Sequence, residues 1–162
     1  MTPIIVLLYA LLLAGTGTFT GTSALTWKPG IAMQDHKLTP GDTDPLVTQE
    51  TIQKTICVVG YTKGVRNVPE SVKLQVFREY GIDPSLSAYF EVDNLISLEN
   101  GGSNDIKNLW PQPYDPRPGA REKDVLETHL KKMVCAGKIT LADDQAALRD
   151  WYISYMNYGL GY

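Results

Sequence analysis

The sequence predicts an α+β fold organised around a strand, a polar turn, a second strand and a helix. Residues 89–92 include tyrosine, phenylalanine and valine, which favour strands, and residues 106–110 return as a second short run. Asn-Gly-Gly at 100–102 indicates a tight turn between them, because glycine and asparagine adopt positive φ at low cost. Apolar residues recur at helical spacing from about Ala120. Acidic and amide side chains stand at the element ends, which is the outline of a small ββα metal site with additional helices.

Further elements are predicted before this core. Residues 25–50 are dense in proline, glycine and aspartate, which predicts an irregular lead-in. We expect one helical turn at 51–54 and a short strand at 56–59, followed by a turn. An apolar stripe predicts a helix over 70–80, with Pro69 tolerated where the helix opens.

The segment after the second strand is rich in proline. Pro111 is expected to stop the strand, and residues 111–118 to form a surface linker, because proline lacks the N–H group that a helix or inner strand needs. The core helix then runs to Gly137, which suits a helix end. Thr140 begins the last helix, with Asp143 three residues later as an imperfect capping box.

The N-terminus predicts export. Residues 4–13 are apolar, and Thr-Ser-Ala at 22–24 suits signal peptidase, so residues 1–24 are interpreted as a signal peptide. No lysine or arginine precedes the apolar run, and an uncleaved N-terminal anchor is the alternative. Either interpretation places the folded part outside the cytoplasm, secreted or periplasmic. The resulting organisation is a signal peptide, a lead-in over 25–50 and one domain over 51–162.

The charge balance does not indicate a strong nucleic-acid binder. The net charge is −3, whereas such proteins usually carry a basic excess. Locally the balance reverses, because residues 117–138 hold more basic than acidic side chains. This basic segment is interpreted either as a binding surface or as a solvated helix face. The basic residues of this segment are Arg117, Arg121, Lys123, Lys131, Lys132 and Lys138.

The two cysteines, Cys57 and Cys135, predict one disulfide in an exported chain. In the chain-entropy model, closure of so long a loop stabilises the fold by about 4 kcal/mol. A metal role for the pair is less favoured, since two cysteines so far apart lack the spacing of a zinc site.

Four motifs resemble those of the secreted HNH-endonuclease-like proteins of bacteria. They are Val-Asp-Asn-Leu-Ile at 92–96, Leu-x-x-Gly-Gly-Ser-Asn at 98–104, Asn-Leu-Trp-Pro at 108–111 and Lys-Asp-x-Leu-Glu at 123–127. The resemblance extends from about residue 38 to residue 151 and implies an HNH-like ββα-metal core. One departure stands out. The family pattern has Val-Asp-His at the strand end, and this chain has Asn94 at the histidine position.

The resemblance also implies roles for single residues. Asp93 would be the first metal ligand, although an acid at a strand end can simply cap the next turn. Asn94 stands at the position of the family's general base. Asn108 would hold the turn between the strands through bonds to the backbone. Glu127 would complete the metal shell, or else form a surface pair with Lys123 four residues earlier.

The remaining site residues would contact the substrate. Lys123, Arg121 and Lys131 are candidates for phosphate binding, and Lys131 stands where many relatives carry a histidine. His129 is expected to face elsewhere on the helix, near Val125 or Met133. The oxygen ligands suit Mg²⁺ or Mn²⁺, with Zn²⁺ or Ni²⁺ as further possibilities. No nucleotide cofactor is expected.

These features imply a secreted, metal-dependent nuclease that hydrolyses DNA and is impaired by Asn94. An amide has no useful basicity, and loss of a general base costs about 10²- to 10⁴-fold in rate. The alternative is a non-catalytic protein that binds nucleic acid or metal on a degenerate HNH scaffold. A third interpretation is an envelope protein with a disulfide and a purely structural ββα core.

Overall fold

Two antiparallel hairpins and a set of short helices form a mixed α+β fold. The computed structural model describes residues 26–28 and 31–161. The strands are β1 (Thr26–Lys28), β2 (Ile31–Met33), β3 (Phe90–Asn94) and β4 (Leu109–Pro113). The α-helices are α1 (Tyr61–Val65), α2 (Glu70–Glu79), α3 (Ala120–Cys135), α4 (Leu141–Arg149) and α5 (Trp151–Asn157). Four 3₁₀-helices lie between them, at Ile52–Lys54, Pro84–Tyr89, Leu98–Asn100 and Ile106–Asn108.

The central hairpin pairs β3 with β4 in antiparallel register, with Asp93 opposite Trp110. Both predicted strands are therefore present, but both predicted bounds of the second one are wrong. Ile106–Asn108 is a 3₁₀-helix, so the strand begins at Leu109, and Pro111 does not end it. β4 continues through Pro111 to Pro113. In a two-stranded sheet the outer side of each strand needs no hydrogen-bond donor, and proline is tolerated there.

Helix α3 packs across this hairpin, and the apolar core lies between them. Its largest buried members on the hairpin and α3 are Leu95, Ile96, Trp110, Leu126 and Leu130, and Leu148 and Trp151 cover them from α4 and α5. Burial of such aromatic and aliphatic side chains is the main favourable term in folding. The core thereby fixes where the polar ends of β3 and α3 meet.

The prediction that the lead-in over residues 25–50 is irregular is wrong in its first part, because β1 and β2 form an antiparallel hairpin there. The lead-in also packs into the core. Met33 belongs to the same apolar cluster, and Thr39 is fully buried. The hydroxyl of Thr39 donates to the carbonyl of Leu109 at 2.8 Å and shares a 2.6 Å hydrogen bond with the hydroxyl of Tyr80. These bonds attach the lead-in directly to β4 and to the end of α2.

The disulfide predicted between Cys57 and Cys135 is confirmed, with the two Cα atoms 5.6 Å apart. The strand predicted at 56–59 is wrong. Cys57 donates its N–H to the carbonyl of Ile52 at 3.0 Å, so the segment is a turn, and α1 follows at Tyr61 instead of a turn. Strand propensity depends on a partner strand, and this segment has none among the residues described.

The helix boundaries follow the sequence signals closely. Thr140 caps α4 in a reciprocal capping box with Asp143, as its sequence indicates. Gly137 has a φ of 67°, the left-handed conformation that ends helices and that glycine adopts without strain. The predicted last helix is in fact two, since the backbone leaves helical geometry at Asp150, between α4 and α5.

Among the residues that the structure describes, none of the helices combines the length and apolarity of a membrane span. The predicted signal peptide, residues 1–24, lies outside the described residues. A disulfide is compatible with an extracellular location, since such bonds persist in oxidising compartments.

Candidate functional site

The loop between β3 and β4 is held by Asn108. Its Oδ1 accepts from the N–H of Ile96 at 2.9 Å, and its Nδ2 donates to the carbonyl of Ile96 at 2.8 Å and to that of Ser103 at 2.9 Å. A Cβ at Gly102 would meet the Ile96 carbonyl oxygen at 1.7 Å, so only glycine fits there. The buried amide thus closes the loop and fixes the ends of both strands.

Asn94, the last residue of β3, is only 2% exposed. Its Nδ2 donates to the carbonyl of Ser103 at 2.8 Å, so the side chain points toward the loop rather than into solvent. The side chain stabilises the same loop that Asn108 closes. An amide in this position has no basic nitrogen with which to activate water.

Lys123 is fully buried and lies at the centre of the predicted site. Its Nζ donates to Oδ2 of Asp93 at 2.7 Å, to the carbonyl of Asn94 at 2.8 Å and to Oε1 of Glu127. Asp93 comes from β3, while Lys123 and Glu127 lie one turn apart on α3. The carboxylates of Asp93 and Glu127 therefore converge, and the cation between them is an ammonium. We call these three residues the ion-pair cluster.

The charges of the ion-pair cluster depend on one another. Burial alone would lower the pKa of Lys123, but Asp93 and Glu127 more than offset this effect and the pKa is raised. Burial raises the pKa of Glu127, Lys123 opposes the change and Asp93 adds to it. Lys123 consequently stays charged at any physiological pH. Removal of that charge would leave two carboxylates in a poorly solvated place.

Two further carboxylates stand beside the cluster, Glu91 on β3 and Asp124 on α3. Burial raises the pKa of both, and repulsion from Asp93 raises each further. Lys123 and Arg66 partly compensate in both cases. We call Glu91, Asp93 and Asp124 the acidic rim. Its mutual repulsion would favour the approach of a positively charged group.

The metal ion that the resemblance implies would compete with the ammonium of Lys123 for the same carboxylates. As arranged, Asp93 and Glu127 both bind Lys123, and they do not fit a divalent ion unless Lys123 moves. Within residues 26–28 and 31–161, no group of three or more histidine, cysteine or acidic side chains has metal-binding geometry. Nor is Lys123 accessible to a phosphate, which differs from the expectation that it contacts substrate.

The other expected site residues lie apart from the ion-pair cluster. Lys131 binds Glu99, with Nζ 3.1 Å from Oε2, and this pair is partly exposed. The ring of His129 contacts that of Tyr158 in a tilted arrangement, with the ring centroids 5.1 Å apart. Arg121 is exposed near the start of α3 and lies over the ring of Tyr114 at 5.4 Å from its centroid.

Arg121 lines a pocket of about 390 Å³ at the open end of the central hairpin. Tyr89, Tyr114 and Arg117 also line it, and we call these four residues the Tyr–Arg pocket. The sequence interpretation missed both tyrosines. Tyr114 falls in the proline-rich segment that is predicted to be a linker. Tyr89 is predicted only to be part of a strand. An aromatic residue beside Arg117 and Arg121 was the available signal.

A second buried polar cluster was also missed. Nδ2 of Asn100 donates to both carboxylate oxygens of Asp144, at 2.8 and 2.9 Å, and to the carbonyl of Glu127 at 3.3 Å. Ser97 donates its hydroxyl to Oδ1 of Asn100. Burial raises the pKa of Asp144 to about 7, with Asn100 opposing the shift. This cluster joins α4 to the loop after β3 and to α3, directly behind Glu127.

Comparison with known proteins found no matching family model, no matching curated protein and no matching solved structure.

Proposed function

We propose that this chain is an exported protein that binds nucleic acid on an HNH-like ββα scaffold and does not cleave it. The observation that carries the proposal is the ammonium of Lys123, fully buried between the carboxylates of Asp93 and Glu127. Those two carboxylates are the ones that a one-metal nuclease on this scaffold would use. In this chain the ammonium of Lys123 already compensates the negative charge of those carboxylates.

Catalysis would also need a base, and the proposal accounts for its absence. Asn94 stands at the position where the resemblance implies a histidine. Its Nδ2 donates a hydrogen bond to the carbonyl of Ser103. General-base catalysis requires a group whose pKa lies near the working pH, which an amide does not have. The residues at the positions of the metal ligands and of the general base thus make interactions that stabilise the fold.

Binding, by contrast, has a plausible surface near the start of α3. Arg117 and Arg121 are exposed there, and arginine is the preferred partner of phosphate because its planar fork donates two parallel hydrogen bonds. The exposed ring of Tyr89 in the same pocket offers a face on which a base can stack. The net charge of −3 predicts that affinity is modest and that the contact is local rather than spread over the surface.

Fluorescence anisotropy with labelled oligonucleotides tests the proposal. We expect Kd values of about 10⁻⁶ to 10⁻⁴ M and an affinity that falls with salt. Arg121→Gln should weaken binding and reduce the slope of log K against log salt by about 0.7 to 0.9, the contribution of one phosphate contact.

Lys54→Gln is the matched control, since Lys54 is exposed on the 3₁₀-helix Ile52–Lys54 near the opposite end of α3. It should leave the slope unchanged. A plasmid-nicking assay with Mg²⁺, Mn²⁺, Ni²⁺ and Zn²⁺ should show only background cleavage. Absence of oligonucleotide binding would refute the binding proposal, and clear metal-dependent nicking would refute the non-catalytic one.

An impaired nuclease acting on DNA is the second candidate, and one contact favours it. Asn94 donates to Ser103 from Nδ2, the atom that corresponds in position to Nδ1 of a histidine. An imidazole at position 94 could keep this bond and leave Nε2 for water activation. On this proposal Mg²⁺ or Mn²⁺ would bind the carboxylates of Asp93 and Glu127 after Lys123 has moved away from them.

A further inference from the structure

We infer that the Tyr–Arg pocket binds one unpaired nucleobase together with the adjacent phosphate, so that the ligand is a single-stranded nucleic acid. This inference rests on the proposed function and specifies its ligand class.

The two tyrosines are held opposite each other by the backbone. Tyr89 ends the 3₁₀-helix before β3, and Tyr114 directly follows β4. The N–H of Tyr114 donates to the carbonyl of Tyr89 at 3.1 Å, which extends the hairpin by one bond beyond the Phe90–Pro113 pair. The backbone positions of both residues are therefore set by the sheet rather than by a loose loop, as a rigid stacking site requires.

Exposure of these rings is hard to explain by folding alone. Tyr89 is 68% exposed although it adjoins a strand of the central hairpin. Tyr114 is half-buried, with Arg121 over its face. An exposed aromatic ring beside a cation is the combination with which proteins bind single-stranded nucleic acid, because every base has a π-face. In a duplex those faces are covered by neighbouring bases.

The size of the pocket also favours a single base. Its volume of about 390 Å³ is near the lower end of the range for small-molecule sites, about 300 to 1,000 Å³. Asp115 lines the same pocket and offers a carboxylate that can accept from the N–H groups on a base edge. A paired base has its Watson–Crick edge occupied and would not present those groups.

The two arginines of the Tyr–Arg pocket would bind the phosphate. Arg117 lies 3.4 Å from Glu122 through Nε, and its side chain is 65% exposed, so this ion pair is weak and easily exchanged. Arg121 keeps its guanidinium at the pocket through the ring of Tyr114. One strand can therefore place a base against a tyrosine while its backbone runs along the arginines.

The acidic rim begins near Tyr114 along the hairpin, since Glu91 pairs with Gln112, two residues before Tyr114. Tyr114 has a raised pKa, for which burial is the main cause and the negative charges of Glu91, Asp124 and Asp93 are further causes, while Arg121 opposes them. These carboxylates are therefore close to the pocket. A second phosphate backbone, such as the complementary strand of a duplex, would be repelled there. The charge distribution thus favours one strand over two.

The test compares a 12-nucleotide single strand with the blunt duplex of the same sequence, using the disulfide-bonded protein and fluorescence anisotropy. The single strand should bind at least about 10-fold more tightly. Tyr89→Leu should weaken single-strand binding by about 5- to 100-fold, the range for loss of one stacked base. Because Tyr89 is exposed, this substitution should leave the fold intact. Tyr158→Leu is the aromatic control, since the ring of Tyr158 contacts His129 and does not line the pocket.

A 2-aminopurine base in the strand gives a direct signal of stacking. Its fluorescence should fall on binding to the unmodified protein and to Tyr158→Leu, and this quenching should be lost with Tyr89→Leu. Equal affinity for strand and duplex, with no effect of Tyr89→Leu, would overturn the single-strand inference and leave nucleic-acid binding itself standing. Failure to bind either oligonucleotide at about 100 μM protein, the weak end of non-specific binding, would overturn both proposals.

Discussion

Nζ of Lys123 lies 2.7 Å from Oδ2 of Asp93 and joins α3 to the end of β3. The lysine is fully buried, and only 13% of the Asp93 side chain is exposed. The two elements thus meet through a charged contact at the edge of an otherwise apolar core.

Removal of this charge should strongly destabilise the protein. Lys123→Met keeps the length of the side chain but leaves Asp93 and Glu127 buried without a partner. Breaking such a buried network costs about 3–5 kcal/mol. Denaturant unfolding at neutral pH measures the loss.

Lys131→Met is the matched control, because it removes a lysine from the same helix. Its partner Glu99 is partly exposed, and such a pair is worth about 0–1 kcal/mol. Equal losses in the two variants would mean that Lys123 contributes no more than a surface ion pair.

The stability of the protein should fall between about pH 4 and pH 7 because of Asp144. Its folded-state pKa is raised to about 7, whereas an unfolded aspartate titrates near 3.9. The folded state therefore binds the proton more tightly, and the stabilisation present below pH 4 is lost as the pH rises through 7. A shift of about three pKa units corresponds to about 4 kcal/mol. Asp144→Asn should reduce this dependence, as measured by denaturant unfolding at pH 4.5 and pH 8. A decline of the same sign should remain, because burial also raises the pKa of Glu127.

Asp143→Asn serves as the control for this pH effect. Asp143 is the preceding residue, and hydrogen bonds from Thr140 lower its pKa, which is a shift in the opposite direction. Its replacement should leave the decline between pH 4.5 and pH 8 in place. A decline that persists unchanged in Asp144→Asn would show that another group, such as Glu127, causes it.

Asn94→His separates the two candidate functions. The variant supplies an imidazole with a pKa near 6.5, and its Nδ1–H can replace the present bond to Ser103. We expect plasmid nicking to stay at background with Mg²⁺, Mn²⁺, Ni²⁺ and Zn²⁺, because Lys123 still holds Asp93 and Glu127. A gain of about 10²-fold or more would instead establish the impaired nuclease. Asp93→Ala in the histidine background would then have to abolish that gain.

Reduction of the disulfide should lower stability without rearranging the central hairpin. Cys57 and Cys135 are 78 residues apart, and opening a loop of this length costs about 4 kcal/mol in the chain-entropy model. The bond lies at the C-terminal end of α3, away from the Tyr–Arg pocket near the N-terminal end. Unfolding of the Cys57→Ser/Cys135→Ser variant measures the loss. Oligonucleotide affinity below the unfolding transition should be unchanged.

Much of the fold could be predicted because local signals specify it. The hairpin and its Asn-Gly-Gly turn, the start of α3, the cap at Thr140 and the disulfide all follow from residue types at short spacing. The errors have physical reasons. The segment 56–59 favours strands but finds no partner, and Pro111 stays in a strand whose outer side needs no donor.

The ion-pair cluster was harder to foresee. Helical spacing places Glu127 one turn after Lys123. Whether that pair faces water or the core depends on the position of Asp93 on β3, 30 residues before Lys123. Asp144 meets Asn100 across 44 residues, and no local pattern signals the contact. Burial of charged groups is a tertiary property, so sequence spacing alone underdetermines it.

The disulfide has a consequence for what a protease can do to the protein. β3, β4 and nearly all of α3 lie between Cys57 and Cys135, within one covalently closed ring. A single protease cut in the exposed stretch 115–117 would open the ring and leave two fragments that the disulfide still joins. Nicked protein should migrate as one species without reductant and as two with it. Both halves of the Tyr–Arg pocket would stay joined after the first cut.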